Sequence, residues 1–174
     1  MNRIGAALAI VLLVGVFRAS GSDEKIVSKY SSTARSKCIS YRETGEEGDP
    51  GFEALCRGFG GYELEFLGGD ERSWINIRFG RETTDLYSAT MQAIEGTFPH
   101  KANDTVEWRG LQKNGRFVPF AIIYRIAAGN DETRQIHTRL IVIKLDRGHS
   151  AVIGSAGGKD EEAKAHRMAD GARP

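Results

Sequence analysis

The sequence predicts an α+β protein: a mainly antiparallel β-sheet of six to eight strands, with a C-terminal helix and at most one further helix packed on the sheet. Three features predict this class. Apolar and polar residues alternate through 62–79, two strongly apolar runs at 117–127 and 133–145 flank a Gly-Asn-Asp turn, and the stretch 160–170 has helical character. Since alternation with a period of two is typical of half-buried strands, we expect strands to dominate.

The first 21 residues have the three parts of a secretory signal peptide. A cationic start at Met1-Asn2-Arg3 precedes an apolar run at 4–17, and small residues follow at 19–21. A membrane-spanning helix needs about 20 apolar residues, so the run is short for a stable anchor, although an uncleaved anchor is the alternative. We therefore expect an exported protein, periplasmic or secreted, with no stable membrane span after cleavage.

The mature chain is predicted to have three parts. Residues 22–36 are polar and rich in Ser and Lys, which indicates a flexible N-terminal arm. Residues 37–170 are expected to form a single globular domain, and 171–174 a disordered tail.

Two short strands, at 37–41 and 52–56, are expected to flank an acidic turn-rich loop at 43–51. The loop lacks the alternating carboxylates of a calcium loop. Cys38 and Cys56 are the only cysteines of the chain, and in an oxidising compartment they are expected to form one disulfide. Two distant cysteines without a neighbouring histidine do not match a zinc site.

The middle of the chain predicts a hairpin and a helix. The alternating runs 62–66 and 73–79 meet at a Gly-Gly-Asp turn, as in a β-hairpin. Residues 84–95 repeat apolar side chains near a period of 3.6, with Thr84 as a capping residue, which favours a short helix.

Strands also account for the second half. After a loop through Pro99 and 103–104, a strand at 106–109 leads to the long hairpin 117–145. Residues 140–143 are apolar on both faces, as in a central strand covered on both sides. A strand at 150–153 then precedes the terminal helix. One contiguous core is expected, formed by Leu64, Phe66, Ile75, Ile77, Ile122, Tyr124, Ile126, Leu140, Ile141, Val142 and Ile143.

Composition and motifs exclude several classes. With 24 basic and 23 acidic residues, the net charge is +1, and loss of Arg3 and Arg18 with the signal would leave 22 basic residues. A nucleic-acid partner is not expected, because non-specific phosphate binding needs a marked excess of cations on one surface. Residues 154–159 resemble a phosphate-binding loop but are one residue short, and Asp160 replaces the required hydroxyl. No cofactor and no metal site are expected.

Several motifs together resemble an uncharacterised family of small exported bacterial proteins. The resemblance covers most of 36–170. The residues that carry it are Cys38, the segment 56–62, the turn 69–72, the Glu-Trp-Arg motif 107–109 and the end of the domain at 159–170. The resemblance implies a bacterial envelope location and supports the disulfide, and it implies no site residues.

Charged residues on neighbouring strands form the first candidate site, for an anion or a partner protein. His137 and Arg139 share a strand face, and Arg125 on the preceding strand is expected near Glu107 and Arg109. Such a cluster would bind a carboxylate or phosphate, because arginine presents a fork that matches planar anions. The alternative, which strand alternation alone favours, is that these are ordinary solvent-facing side chains.

A second candidate site is a glycan platform around Trp74. This indole is expected on the strand face that carries Asn76 and Arg78, opposite the inward residues of the same strand. An exposed aromatic ring beside polar side chains suits a sugar, although aromatic residues are more often partly buried packing elements.

The leading functional hypothesis is an exported, non-enzymatic binding or interaction module that meets an envelope protein or glycan. An enzyme is the less favoured alternative: a hydrolase or another enzyme with His137, Arg125 and Glu107 as a site on the sheet. A second alternative is a lysozyme-inhibitor-like protein, which fits the size, export and single disulfide but lacks the loop motifs of those families. Fold alone does not decide among them, and the oligomeric state is open.

Overall fold

The computed structural model describes residues 24–45, 50–94, 97–129, 133 and 135–174. The predicted signal peptide, 1–21, lies outside these ranges, and so do 46–49 of the acidic loop and 130–131 of the predicted Gly-Asn-Asp turn.

Strands and two helices make up most of the described chain. The strands are β1 (Lys25–Ser32), β2 (Cys38–Thr44), β3 (Gly51–Arg57), β4 (Tyr62–Gly69), β5 (Arg72–Phe79), β6 (Glu82–Thr84), β7 (Thr97–Lys113), β8 (Arg116–Gly129), β9 (Ile136–Lys144) and β10 (Ala151–Gly157). The helices are α1 (Tyr87–Ile94) and α2 (Glu161–Gly171), and a single 3₁₀ turn lies at Arg35–Lys37. Among the described residues, neither helix has the length and apolar character needed to span a membrane.

The strands form one sheet in the order β10-β9-β8-β7-β5-β4-β3-β2. Off this path, β1 pairs with β7 and β6 pairs with β5, both antiparallel. One pair is parallel, where Arg72 of β5 meets His100 of β7. The prediction of a mostly β protein with a C-terminal helix and one further helix is confirmed. The predicted number of six to eight strands is wrong, because the described residues form ten strands, and one parallel pair makes the mainly antiparallel sheet mixed.

One unpredicted strand comes from the supposed flexible arm. Residues 25–32 form β1 and pair with 105–112 of β7, so the arm prediction is wrong there. The strand is held from both faces: the Trp108 indole donates to the Ser31 hydroxyl at 2.8 Å, and Ile26 packs into the core beneath α2. Pairing with a distant strand therefore orders a segment whose local sequence is polar.

Two other boundaries also differ. Pro99 and 103–104, predicted as loop, lie inside β7, where a register shift between Ala102 and Val106 accommodates the additional residues. At the C-terminus, α2 extends to Gly171 and the Ala172 amide donates to the Ala169 carbonyl at 3.0 Å. The predicted tail of 171–174 therefore begins too early.

Apolar residues fill two cores, one on each face of the sheet. The main core consists of Ala54, Cys56, Tyr62, Leu64, Phe66, Ile75, Ile77, Leu86, Ile94, Val106, Trp108, Ile122, Tyr124, Ile126, Ala128, Ile141, Ile143 and Leu145. The second consists of Phe120, Ala121, Ile123, Leu140, Val142, Ala156, Ala165 and Ala169. Leu140 and Val142 thus belong to the second core, so the prediction of one contiguous cluster is wrong for these two. The prediction that β9 is covered on both faces is confirmed.

The sheet folds back on itself to enclose the main core. In a flat sheet, β3 and β9 would lie about 24 Å apart at ~4.8 Å per strand, yet both contribute to this core. Direct contacts join the two halves: the Phe59 ring lies 5.6 Å from the rings of Trp108 and Phe117, and the Tyr124 hydroxyl hydrogen-bonds with the Ile75 backbone. Helix α1 packs against β5, β9 and β10, whereas α2 covers the outer face of β8–β10.

The predicted disulfide is present. Cys38 and Cys56 are opposite residues of β2 and β3, their Cα atoms are 3.9 Å apart, and 18 positions separate them in the sequence. Because Cys56 is fully buried in the main core, the disulfide fixes the start of β2 to the interior.

The buried Tyr124 predicts a stability loss in alkali. Burial raises the pKa of Tyr124 to about 12, against about 10 for an ordinary tyrosine. Between about pH 10 and 12 the unfolded chain loses this proton while the folded chain keeps it, so stability present below pH 10 falls as pH rises. Across this window the free energy of unfolding of the wild type should therefore fall by roughly 2 to 3 kcal/mol more than that of Tyr124→Phe. Urea titration at each pH measures the two values.

The matched control for this titration is Tyr30→Phe, because Tyr30 is 61% exposed and its hydroxyl is not part of a core. Parallel pH profiles for the wild type and Tyr124→Phe would contradict the expectation.

Candidate functional site

A network of polar side chains lies between β1, β7 and α2, on the outer face of the sheet. Val106 and Trp108 point into the main core, so strand alternation places Glu107 and Arg109 on the opposite face. This face is the one that α2 covers, and here β1 contributes the Ser28 hydroxyl while β7 and α2 contribute charged groups.

Glu107 accepts hydrogen bonds from two elements. The Ser28 hydroxyl of β1 donates to its Oε1 at 2.5 Å. The His166 Nε2 of α2 lies 2.9 Å from Oε1 and 3.1 Å from Oε2, and it donates because a carboxylate can only accept. The Glu107 side chain is 15% exposed, so these contacts hold a largely buried carboxylate in one position.

Arg109 joins the same network to the end of α2. Its Nε and Nη2 donate to the two carboxylate oxygens of Asp170 at 2.9 and 2.7 Å, and its Nη1 donates to the Ser28 hydroxyl at 2.7 Å. The hydrogen bonds to Asp170 raise the pKa of Arg109 above its ordinary value, and partial burial opposes that shift. The guanidinium fork is therefore fully used within the protein.

Arg125 is likewise paired with α2. Its Nη1 lies 2.5 Å from the Glu161 Oε1 and 3.1 Å from the Thr138 hydroxyl. Because Arg109 and Arg125 each bind a carboxylate of α2, an external anion would compete with Asp170 and Glu161 for these guanidinium groups. Anion binding by this cluster stays a prediction.

A cleft opens beside this network, and we call it the α2 cleft. It has a volume of about 220 Å³. Its lining residues are Tyr30, Asn103, Thr105, Glu107, Ile123, Tyr124, Arg125, Leu140, Glu162 and His166. Buried Ile123 and Leu140 form an apolar floor, and polar side chains of β1, β7 and α2 form the walls. An apolar floor with a few convergent polar groups is the usual composition of a ligand site.

The structure brings together only part of the predicted anion cluster. Glu107 and Arg125 line the α2 cleft, and Arg109 lies beside it. His137 and Arg139 pair with Ala128 and Ile126 of β8, which belong to the main core, so they lie on the opposite face of the sheet. The expected grouping of His137 with Arg125 is therefore wrong.

The predicted glycan platform is also divided. Asn76 is buried, and its Oδ1 accepts the Leu86 amide at 2.9 Å, so it orders the approach to α1. Trp74 is half-buried with the Tyr87 ring 4.7 Å away, and Arg78 lies 3.7 Å from Glu63. Burial removes Asn76 from the predicted set of glycan contacts, and glycan contact at Trp74 and Arg78 stays a prediction.

Sequence reasoning missed the residues that α2 contributes to the site. Glu162, His166 and Asp170 are spaced four apart, so one helix face carries all three toward β7. This polar stripe beside the small residues Ala165 and Ala169 was the available signal.

Comparison of the chain with family models, curated proteins and solved structures finds no match.

Proposed function

We propose that the protein is exported and acts in the bacterial envelope as a non-enzymatic binding module, with the α2 cleft as its binding site. The observation that carries the proposal is the cleft itself, in which a largely buried carboxylate, an exposed aromatic ring and an apolar floor converge. The Cys38–Cys56 disulfide supports the compartment, because such bonds persist in oxidising environments.

The size of the cleft favours a small chemical group as the ligand. A volume of 220 Å³ corresponds to roughly seven waters at about 30 Å³ each. This is room for one sugar ring or one amino-acid side chain. A polymer that presents such groups along its surface, such as the peptidoglycan of the envelope, suits a cleft of this size.

The geometry favours binding over catalysis. In a Ser-His-carboxylate triad the hydroxyl donates to the imidazole, whereas here the Ser28 hydroxyl donates directly to Glu107 and accepts from Arg109. The His166 imidazole is directed at the same carboxylate. These groups act as fixed walls of a site.

Sedimentation with insoluble peptidoglycan tests the proposal. The mature protein, purified from the periplasm, is expected to pellet with peptidoglycan. We expect Tyr30→Ala to reduce the bound fraction several-fold, because truncation removes an exposed aromatic wall without opening a core. Val118→Ala is the matched control, since Val118 is also an exposed apolar residue, 51% exposed, and lies outside the cleft.

Two results would contradict the proposal. One is absence of pelleting by the wild-type protein. The other is equal pelleting of the wild type and Tyr30→Ala, which would place the contact elsewhere on the molecule.

A further inference from the structure

We infer that the α2 cleft recognises its ligand through a primary ammonium group. This inference rests on the proposed function and adds the chemical class of the ligand. It follows from the charge that remains at the cleft after internal ion pairs are taken into account, from the aromatic wall and from the cleft volume.

The charged groups around the cleft leave an excess of carboxylate. Arg125, the one guanidinium in its lining, is paired with Glu161, which lies outside the lining. Two carboxylates, Glu107 and Glu162, belong to the lining itself. Glu107 contacts His166 and lies 3.9 Å from Arg109, which is itself bound to Asp170, whereas Glu162 has no ion pair among the described residues. An anionic ligand would meet like charges there, whereas a cation would gain attraction in a partly desolvated position.

The acceptors are arranged for hydrogen bonds as well as for charge. A carboxylate offers about four lone-pair positions. Among the described residues, His166 is the one group within hydrogen-bond distance of the Glu107 Oε2 atom, so this oxygen can accept a further hydrogen bond. Glu162 is an exposed side chain one helical turn before His166. An ammonium group has three N–H donors and no acceptor, so it suits such a set better than a neutral amide does.

The aromatic wall adds to this preference. Tyr30 lines the cleft and is 61% exposed, so its ring is accessible to a ligand. Cations bind favourably over aromatic faces, and the combination of an aromatic ring with carboxylates is typical of ammonium recognition. The apolar floor of Ile123 and Leu140 accepts the carbon skeleton that bears the amine.

Calorimetric titration with matched pairs of ligands tests the inference. One pair is glucosamine and N-acetylglucosamine, and the other is lysine and Nε-acetyl-lysine, with the α-amino and carboxyl groups of both lysines blocked. Acetylation removes the charge and leaves fewer donors while keeping the skeleton. We expect each free amine to bind at least about tenfold tighter than its acetylated form, and its affinity to fall as the salt concentration rises. Whether glucosamine or lysine binds more tightly then identifies the amine as that of a sugar or of a side chain.

Glu162→Gln is the diagnostic variant, because the side chain is exposed and its change leaves the Glu107 network intact. We expect it to lower amine affinity by roughly fivefold to tenfold. The matched control is Glu63→Gln, a partly exposed carboxylate on β4 outside the cleft, which should bind as the wild type does.

The outcomes separate this inference from the proposed function. If amines and acetylated forms bind equally and Tyr30→Ala weakens both, the ammonium inference is overturned and the binding site stands. The ammonium inference is likewise overturned if no amine binds but the protein still pellets with peptidoglycan in a Tyr30-dependent way. Absence of both binding and pelleting would overturn the inference and the proposed function together.

Discussion

Replacing Ile141 by alanine is expected to lower the free energy of unfolding by about 2 to 5 kcal/mol. Ile141 is fully buried in the main core, on a strand whose other face is also covered by the second core. The site cannot collapse freely, so the loss includes a cavity as well as the transfer energy of the removed methylenes. This is a large share of the roughly 5 to 15 kcal/mol of a typical domain.

Ile136→Ala is the matched control, because it makes the same chemical change on the same strand. Ile136 is 64% exposed, so we expect a change within about 0.5 kcal/mol. Thermal and urea unfolding of both variants measure the difference. Equal stability losses in the two would contradict the enclosure of β9 between two cores.

Removing the disulfide is expected to have the second largest effect. The double variant Cys38→Ala, Cys56→Ala should be less stable by about 3 kcal/mol, because a loop of 18 positions is no longer constrained in the unfolded chain. Urea unfolding at neutral pH measures this loss.

Reduction of the wild-type protein by dithiothreitol is the control, since it breaks the bond without deleting a side chain. The reduced protein should lose a similar amount of stability, which separates the crosslink from the small cavity at buried Cys56. A reduced protein with the same urea midpoint as the oxidised one would contradict a stabilising role.

Local patterns predicted the hairpins well, because alternation and turn residues lie within a few positions of each other. Both long hairpins, β4–β5 and β8–β9, form with the expected pairing. The strand β1 escaped prediction because its order depends on pairing with residues about 80 positions away. The division into two cores was missed for a similar reason: it requires knowing that α2 covers the outer face of β8 to β10.

The site was predicted in part. Glu107 and Arg125 were expected together and both line the α2 cleft, and Arg109 lies 3.9 Å from Glu107, whereas Arg109 and Arg125 bind opposite ends of α2. His137 was assigned to the wrong partners, since its face follows from the register between β8 and β9 and not from alternation alone. The imidazole that does reach Glu107 is His166, which only the docking of α2 brings there.

Mapping of ligand contacts by NMR tests the central claim, that the α2 cleft is the binding site. Soluble peptidoglycan fragments are titrated into the labelled protein, and backbone amide shifts are followed. The claim predicts that the largest changes occur at Tyr30, Thr105, Glu162 and His166, which line the cleft. Changes confined to the outer face of β2 and β3, at Arg42, Glu53 and Leu55, with an unperturbed cleft, would contradict it.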